Sequence, residues 1–180
     1  GSLRRLKRAF DLFATLGLLI CTSPIMLLTA IAIRVGSPGP VIYRQRRVGL
    51  FGQDFTVYKF RSMRTDAEKN GAVWAMKSDP RVTKVGKIIR KTRIDELPQL
   101  WNVLKGDMSL IGPRPLIRQE RSVHFLRRYY GVDQLKPGIT GWAQINGRDL
   151  LNDYDKVFYD REYLKNVSMA FDAKVFLTVY

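Results

Sequence analysis

Two adjacent acidic residues, Asp95 and Glu96, stand at the start of a predicted helix, directly after a strongly basic segment. The eight residues before Asp95 include four cations: Lys87, Arg90, Lys91 and Arg93. A helix N-terminus and nearby cations both favour an ionised carboxylate. An ionised aspartate can attack phosphorus as a nucleophile, and a carboxylate can also bind Mg²⁺. The simpler interpretation is that Asp95 caps the helix while Glu96 balances its first turn.

Other common catalytic groups are poorly represented in the chain. His124 is the only histidine, and the only cysteine, Cys21, lies within an apolar segment. Neither a Ser-His-Asp triad nor a Cys-His pair is supported, no Cys or His cluster has zinc spacing, and the glycine-rich phosphate loops are absent. Catalysis therefore falls to carboxylates, with arginine and lysine to bind an anionic substrate.

A proline-flanked arginine and a glycine-rich segment are candidates for contacts to such a substrate. Arg114 stands between Pro113 and Pro115, and a guanidinium on a rigid backbone suits bidentate phosphate recognition. A rigid loop with an exposed arginine explains these residues equally well. Residues 136–148 combine closely spaced glycines with Arg148, as in a substrate-contacting loop, although an ordinary turn explains the pattern nearly as well.

The chain is strongly basic, with 31 Lys and Arg against 16 Asp and Glu and a formal net charge of +15. Such a field attracts nucleic acid, anionic lipid headgroups or phosphorylated substrates. Eight of the first 50 residues are Lys or Arg, and one, Asp11, is acidic. Beside a long apolar segment, this cluster favours contact with lipid headgroups. The length of 180 residues predicts one compact domain with an appended segment.

The apolar segment runs from Leu12 to Ile33, 22 residues without a charge. As a helix it is about 33 Å long, enough to cross a hydrocarbon core of about 30 Å. Basic residues at both ends argue against crossing, because in a spanning helix they cannot all be cytoplasmic. Proline at Ser23-Pro24 removes the bond to the Ile20 carbonyl, which predicts a break where Ser23 bonds back to the freed backbone. We favour a re-entrant helix-break-helix over a spanning helix, a core helix or a signal anchor.

The rest of the chain is predicted to be mainly helical with a short β-hairpin, an α+β fold. Residues 41–43 and 55–60 carry the β-branched and aromatic residues of the hairpin. Helical patterns occupy residues 82–91, 95–104, 117–130 and 151–164, and the stretch 171–180 could lie on a membrane surface. Residues 65–80 read as a long loop, in which Trp74 is either a hydrophobic plug or a platform for a base or sugar.

Several longer motifs follow one another along nearly the whole chain. They are Lys7-Arg8 with Asp11, Ser23-Pro24, residues 58–63 (YKFRSM), 95–99 (DELPQ), 102–109 (NVLKGDMS), 112–115 (GPRP), 137–141 (PGITG) and 146–148 (NGR). In this order they resemble the bacterial sugar transferase family, the monotopic polyprenyl-phosphate phosphoglycosyl transferases. The resemblance is specific because several long motifs occur together.

The resemblance implies a membrane-anchoring re-entrant helix in residues 1–35, broken at Ser23-Pro24, and a cytoplasmic catalytic domain in residues 36–180. It also implies a ping-pong reaction. The aspartate matching Asp95 attacks the sugar-bearing phosphorus of a UDP-sugar, expels UMP and forms a phosphosugar-aspartyl intermediate, which polyprenyl phosphate then attacks. Glu96 would help to bind Mg²⁺ or assist the incoming phosphate. Candidates for contacts to the phosphates are Arg114 first, then Lys59, Arg61, Arg90 and Arg148.

The implied product is a polyprenyl-diphosphate-sugar, and the implied pathway is exopolysaccharide, capsule, O-antigen or glycoprotein glycan assembly. The expected location is the cytoplasmic face of a bacterial inner membrane. Nucleic acid is not an expected partner, while a homodimer stays open. Two rival functions remain: a non-catalytic basic protein that binds membrane surfaces, and a phosphohydrolase that uses Asp95 to release free sugar phosphate.

Overall fold

The computed structural model describes residues 1–67, 69, 76–147 and 150–179. Within these residues the chain forms seven α-helices and four short strands. The helices are α1 (Ser2–Gly36), α2 (Lys84–Lys91), α3 (Gln99–Lys105), α4 (Arg121–Tyr129), α5 (Trp142–Ile145), α6 (Asp153–Lys165) and α7 (Met169–Val179). The strands are β1 (Ile42–Val48), β2 (Asp54–Phe60), β3 (Ser109–Ile111) and β4 (Gly138–Thr140). The predicted class, mainly helical α+β with a short hairpin, is confirmed.

Helix α1 contains the whole apolar segment and continues through Pro24. The predicted break at this position is therefore not confirmed, and the local hydrogen bonds give a physical reason. Ser23 Oγ donates to the Ile20 carbonyl at 2.9 Å, where Pro24 has no N–H to offer, and Thr22 Oγ1 donates to the Leu18 carbonyl at 2.6 Å. The bond from Ser23 to the freed carbonyl was predicted and is confirmed, whereas the re-entrant path stays a prediction.

Both ends of α1 pack against the same folded body. Near the N-terminal end, Lys7 Nζ lies 2.5 Å from the Asp172 carboxylate of α7. Near the C-terminal end, Ile33 is buried against Phe60 of β2 and Ile89 of α2. Helix α1 contains an apolar stretch of 18 residues, of which only 11 % is buried inside the protein. A core helix would be mostly covered by protein, so this apolar stretch needs another cover.

The antiparallel hairpin of β1 and β2 pairs Ile42 with Phe60 at one end, and α3 supports its free edge. Asn102 of α3 is fully buried. Its side-chain Oδ1 accepts from the Tyr58 N–H at 3.1 Å, and its Nδ2 donates to the Thr56 carbonyl at 2.6 Å. These two bonds replace a neighbouring strand along β2 and satisfy backbone groups that burial would otherwise leave unpaired.

Two loops meet beside the parallel pair of β3 and β4 at a distance that excludes side chains. A Cβ on Gly138 would lie 2.0 Å from the Gly112 nitrogen, and a Cβ on Gly141 would lie 2.1 Å from the Gly112 oxygen. Even alanine would force these backbones apart. The closely spaced glycines of the predicted substrate loop therefore have a packing role, which is to fix the loop that carries Arg114.

The remaining predicted elements are found with shifted ends. The helices predicted at 82–91, 117–130 and 151–164 correspond to α2, α4 and α6, and the stretch 171–180, expected to lie on a membrane surface, overlaps α7. Helix α2 begins after Thr83, whose Oγ1 accepts from the Gly86 N–H at 2.9 Å. Trp74, in the predicted loop 65–80, lies outside the described residues. The two roles considered for it stay predictions.

Candidate active site

Asp95 and Glu96 lie in a short 3₁₀ turn, and α3 begins only at Gln99. The residue before the turn, Arg93, has a left-handed backbone with φ 61° and ψ 17°. This residue redirects the chain after α2, so the predicted helix over 95–104 starts four residues late. The prediction that Asp95 caps this helix is wrong, because no side chain caps the start of α3. Asp95 is therefore left for another role.

A cavity of about 800 Å³ lies on the Asp95 side of the turn. Its described lining contains one carboxylate, that of Asp95, and seven cations: Arg44, Arg47, Lys59, Arg61, Arg64, Arg90 and Arg114. Five of the residues predicted from the sequence thus meet in one place, namely Asp95, Lys59, Arg61, Arg90 and Arg114. Volume and charge suit a polyanionic ligand of nucleotide size. We call this space the basic cavity.

The basic cavity includes residues of β1 that the sequence interpretation missed. Tyr43, Gln45 and Arg47 alternate along β1 and line the cavity, and Tyr43 lies opposite Lys59 in the hairpin register. A signal for them was available. Once the hairpin is extended through residue 48, the two-residue period of a strand places these side chains on the same face as Lys59.

The surroundings of Asp95 raise its pKa, but the carboxylate is still ionised at neutral pH. Burial, with a smaller contribution from the neighbouring Glu96, raises the pKa of Asp95 to about 6, although Lys59 and Arg90 oppose the shift. Burial lowers the pKa of Lys59, while its carboxylate neighbours Glu96 and Asp95 act in the other direction. Lys59 Nζ lies 3.9 Å from Glu96 Oε1. A carboxylate with a raised proton affinity is a better nucleophile than an ordinary one, provided that it remains ionised.

Two buried arginines, Arg47 and Arg127, hold the backbone of the loop that carries Arg114. Arg127 Nη1 donates to the Arg114 carbonyl at 2.8 Å, and Arg127 Nε donates to the buried Asp160 carboxylate at 2.9 Å. Arg47 Nη1 donates to the Pro115 carbonyl at 2.9 Å. Together with the two flanking prolines, these bonds restrict the backbone on both sides of Arg114. The structure thus supports the rigidity inferred from the sequence.

Arg61 and Arg148 differ from the other predicted phosphate contacts. Arg61 donates from Nε to the Pro40 carbonyl at 2.7 Å and from Nη1 to Ser37 Oγ at 2.8 Å. These bonds fasten the segment that follows α1, so a phosphate would have to share the guanidinium with them. Arg148 lies outside the described residues. Phosphate binding by either residue stays a prediction.

A second cavity, of about 790 Å³, lies on the Glu96 side of the same turn, and we call it the apolar groove. Its described lining is mainly aliphatic and includes Leu18 and Ile25 of α1 and Phe176 of α7. Asp95 lines only the basic cavity, and Glu96 lines only the groove. The two carboxylates therefore separate a cationic site from an apolar one.

Comparison with known proteins assigns the chain to a family. The family model described as "Bacterial sugar transferase" matches residues 2–180. The chain belongs to the bacterial sugar transferase family. This finding confirms the resemblance inferred from the ordered motifs.

The UDP-glucose:undecaprenyl-phosphate glucose-1-phosphate transferase of Escherichia coli (strain K12) is 45 % identical over 188 residues, covering 100 % of this chain and 40 % of the relative. The UDP-N-acetylgalactosamine-undecaprenyl-phosphate N-acetylgalactosaminephosphotransferase of Aeromonas hydrophila is 46 % identical over 178 residues, covering 94 % and 41 %. The uncharacterized sugar transferase EpsL of Bacillus subtilis (strain 168) is 46 % identical over 170 residues, covering 94 % and 83 %. The chain thus spans about two fifths of the first two relatives and most of the third.

The carboxylates of this sugar transferase family member fit a magnesium ion that is shared with a substrate. Among the described residues, no group of three or more His, Cys, Asp or Glu could hold a metal by itself. Mg²⁺ commonly takes one or two protein carboxylates and completes its octahedral shell with water and substrate phosphates. Asp95 offers an oxygen-donor group of this kind on a cavity suited to a polyanion, and Glu96, the next residue in the turn, offers a second one from the side of the groove.

Proposed function

We propose that the chain transfers a sugar 1-phosphate from a UDP-sugar to a polyprenyl phosphate, releasing UMP. The observation that carries this proposal is the position of the adjacent carboxylates Asp95 and Glu96. Asp95 faces a cavity rich in arginine and lysine, and Glu96 faces an apolar groove. A reaction that joins a water-soluble diphosphate to a lipid phosphate needs both environments at one reacting centre. The names of the Escherichia coli and Aeromonas hydrophila relatives describe this type of transfer.

In the first step, Asp95 attacks the sugar-bearing phosphorus of the donor from the basic cavity. A bond forms between a carboxylate oxygen and phosphorus, and the bond from phosphorus to the bridging oxygen breaks. UMP leaves with that electron pair. Lys59, Arg90 and Arg114 neutralise the diphosphate as it binds, which brings an anionic substrate close to an anionic nucleophile. Mg²⁺, held by Asp95 and Glu96, would add further charge neutralisation at the leaving UMP.

In the second step, a phosphate oxygen of the lipid acceptor attacks the same phosphorus from the groove side. The bond between phosphorus and the Asp95 oxygen breaks, which regenerates the carboxylate and gives a polyprenyl-diphosphate-sugar. The aliphatic lining of the groove can cover the first isoprene units of the acceptor. Water is a poorer occupant of such a surface, which favours transfer over release of free sugar phosphate.

The same chain can reach its lipid substrate if α1 dips into one face of the membrane. Both ends of α1 are bound to one body, through Lys7 and Asp172 at one end and through Ile33 at the other. A helix held in this way cannot leave its ends on opposite sides of the bilayer. A bend at Pro24, which stays a prediction, would let its middle enter the bilayer and return. We therefore propose a monotopic protein whose folded part lies on the cytoplasmic face of the inner membrane, with the middle of α1 in lipid.

The reaction is tested by measuring UMP release from a panel of UDP-sugars, with Mg²⁺ and undecaprenyl phosphate, by protein in lipid nanodiscs. Asp95→Asn keeps the size of the side chain but removes the nucleophile, so turnover should fall by about 10³-fold or more. Asp155→Asn is the matched control, because Asp155 is exposed on α6 and lines neither cavity. It should retain full activity.

The products separate the rival functions. A polyprenyl-diphosphate-sugar supports transfer, and the preferred donor identifies the sugar. Free sugar phosphate formed without lipid would indicate a phosphohydrolase that uses Asp95. Binding of anionic vesicles with no turnover on any donor would indicate a non-catalytic membrane-surface protein.

The membrane path is tested with single cysteines, because Cys21 is the only native one. In a Cys21→Ser background, Ser2→Cys reports on the start of α1 and Arg46→Cys reports on the exposed face of β1. Both should react with a membrane-impermeant maleimide from the cytoplasmic side of inverted vesicles. Native Cys21 should be protected until detergent is added. Labelling of Ser2→Cys and Arg46→Cys from opposite sides would show that α1 spans the membrane.

A further inference from the structure

Arg93 has an unusual backbone at a position next to the proposed nucleophile. Its φ of 61° lies in the left-handed region, which is unfavourable for a residue with a side chain. Two other described non-glycine residues share this feature, Phe51 and Ser78, and neither lines either cavity. The strained residue at the site is therefore the one that leads directly into the Asp95-Glu96 turn.

The charge of Arg93 stands out against its surroundings. Among the described residues that line the apolar groove, Arg93 and Glu96 are the two charged ones, and the others are aliphatic, aromatic or small and polar. The basic cavity next to it contains seven cations but not Arg93. The two adjacent cavities thus divide the cations very unequally. Among its described residues, the groove has a single positive charge, and it lies on the residue two positions before Asp95.

The Arg93 side chain is only partly buried and is not committed to the fold. Within the described part of the chain, it makes no side-chain hydrogen bond or ion pair. Arg61, by contrast, donates to the backbone and side chain of residues that follow α1. A guanidinium that lines an apolar groove and has no partner among the described residues is available for a ligand that has one anionic group and a hydrocarbon chain.

We propose that Arg93 binds the phosphate of the lipid acceptor and positions it for attack on the phosphorus carried by Asp95. This proposal rests on the proposed function and adds a residue to it. The groove favours a lipid phosphate over a water-soluble phosphate, because its lining includes Leu18, Thr22 and Ile25 from the segment of α1 proposed to lie in the membrane. An amphiphile can enter from the bilayer with its chain along these residues and its phosphate at Arg93.

The key variant is Arg93→Gly. Glycine adopts the left-handed backbone without steric cost, so this change removes the guanidinium while keeping the turn. Arg93→Lys keeps the charge but loses the two-pronged hydrogen bonding, and it should show an intermediate effect. Lys91→Gln is the matched control, because Lys91 is an exposed cation in the last turn of α2 and lines neither cavity.

The first measurement is direct binding in nanodiscs by native mass spectrometry, with polyprenyl phosphate and uncharged polyprenol present at equal concentrations. We use Asp95→Asn protein so that no chemistry intervenes. Protein with Arg93 intact should bind polyprenyl phosphate about tenfold more tightly than polyprenol. Arg93→Gly should lose this preference, and Lys91→Gln should keep it. An unchanged preference in Arg93→Gly would overturn the proposal, whatever the catalytic activity of the protein.

The second measurement separates the two halves of the reaction in protein with Asp95 intact. Arg93→Gly should raise the KM for polyprenyl phosphate about tenfold and leave the UMP burst without acceptor within twofold of the unmodified protein. Loss of the burst would mean that Arg93 acts on the nucleophile instead, which also overturns the proposal. If the unmodified protein gives no UMP at all but binding still depends on Arg93, the proposed reaction fails while the lipid-phosphate site stands.

Discussion

The basic cavity and the apolar groove have nearly equal volumes, about 800 and 790 Å³, but the lining of one is cationic and the lining of the other is mainly aliphatic. One is lined by seven cations, whereas the other has Arg93 as its single described cation. They are divided by a turn in which neighbouring residues face different sides. Two incompatible environments therefore need no second domain to keep them apart, because one tight turn presents Asp95 to one and Glu96 to the other.

The largest effect on this division is expected from removing one cation of the basic cavity, Lys59. Lys59→Met should slow the donor half-reaction by about 100-fold, because Lys59 both attracts the diphosphate and favours the ionised form of Asp95. The measurement is single-turnover UMP release without acceptor. Lys105→Met is the control, since Lys105 is a surface lysine near the same hairpin that lines neither cavity. Equal losses in both variants would show that general charge, and not this site, drives the effect.

The pH dependence of the donor half-reaction tests the ionisation of Asp95 in the basic cavity. The carboxylate of Asp95 must be ionised to attack, and its pKa is raised to about 6. The donor half-reaction should therefore be constant above pH 7 and fall about tenfold for each pH unit below 6. Because Lys59 lowers this pKa, the midpoint should move above 6 in Lys59→Met. A rate that stays constant down to pH 4.5 would contradict the buried environment described for Asp95.

A change in the groove should leave the donor step untouched. Thr178 is exposed on α7 and lines the groove, so Thr178→Trp should narrow it. We expect the KM for polyprenyl phosphate to rise roughly fivefold, equivalent to about 1 kcal/mol, with an unchanged UMP burst. Thr178→Ala removes the same hydroxyl without filling the groove and should behave like the unmodified protein. A slower burst in the tryptophan variant would show that the two cavities are not independent.

The smallest effect concerns stability. The pKa of Asp95 is higher in the folded protein than its ordinary value of 3.8, so the ionised carboxylate weakens folding at pH values above about 6. Asp95→Asn should raise the melting temperature by roughly 2–4 °C at pH 7.5. The gain should become small as the pH falls to 4, because the folded carboxylate is then protonated and the unfolded one, with a pKa of 3.8, is roughly half protonated. Differential scanning fluorimetry at the two pH values checks this, and a destabilised variant at pH 7.5 would refute it.

Much of the fold was predictable because it depends on local signals. The hairpin and the bond from Ser23 to the Ile20 carbonyl both follow from residue types within a few positions of each other. The pairing of β3 with β4 was not predictable in this way. It brings together segments almost 30 residues apart in sequence, through glycines whose need is seen only when the two backbones meet.

The site was predictable where one segment carries several signals and not where distant segments combine. Asp95 and Arg114 were found from their neighbours, although the helix cap assigned to Asp95 was wrong. That error came from Arg93, because a left-handed arginine gives no signal in a sequence. Arg47 was missed because the extent of β1 was underestimated. The groove depends on contacts among α1, α3 and α7, which no local pattern describes.

The ion pair between Lys7 and Asp172 also bears on how the protein is made. Its two partners are 165 residues apart, and Lys7 additionally donates to the Tyr163 hydroxyl at 3.0 Å. At ordinary rates of translation, the partners of Lys7 leave the ribosome on the order of ten to thirty seconds after Lys7 itself. During that interval the apolar half of α1 is already synthesised but its N-terminal anchor does not exist. Early contact with the membrane, or with a chaperone that covers the helix, is therefore part of the folding problem that this sequence sets for the cell.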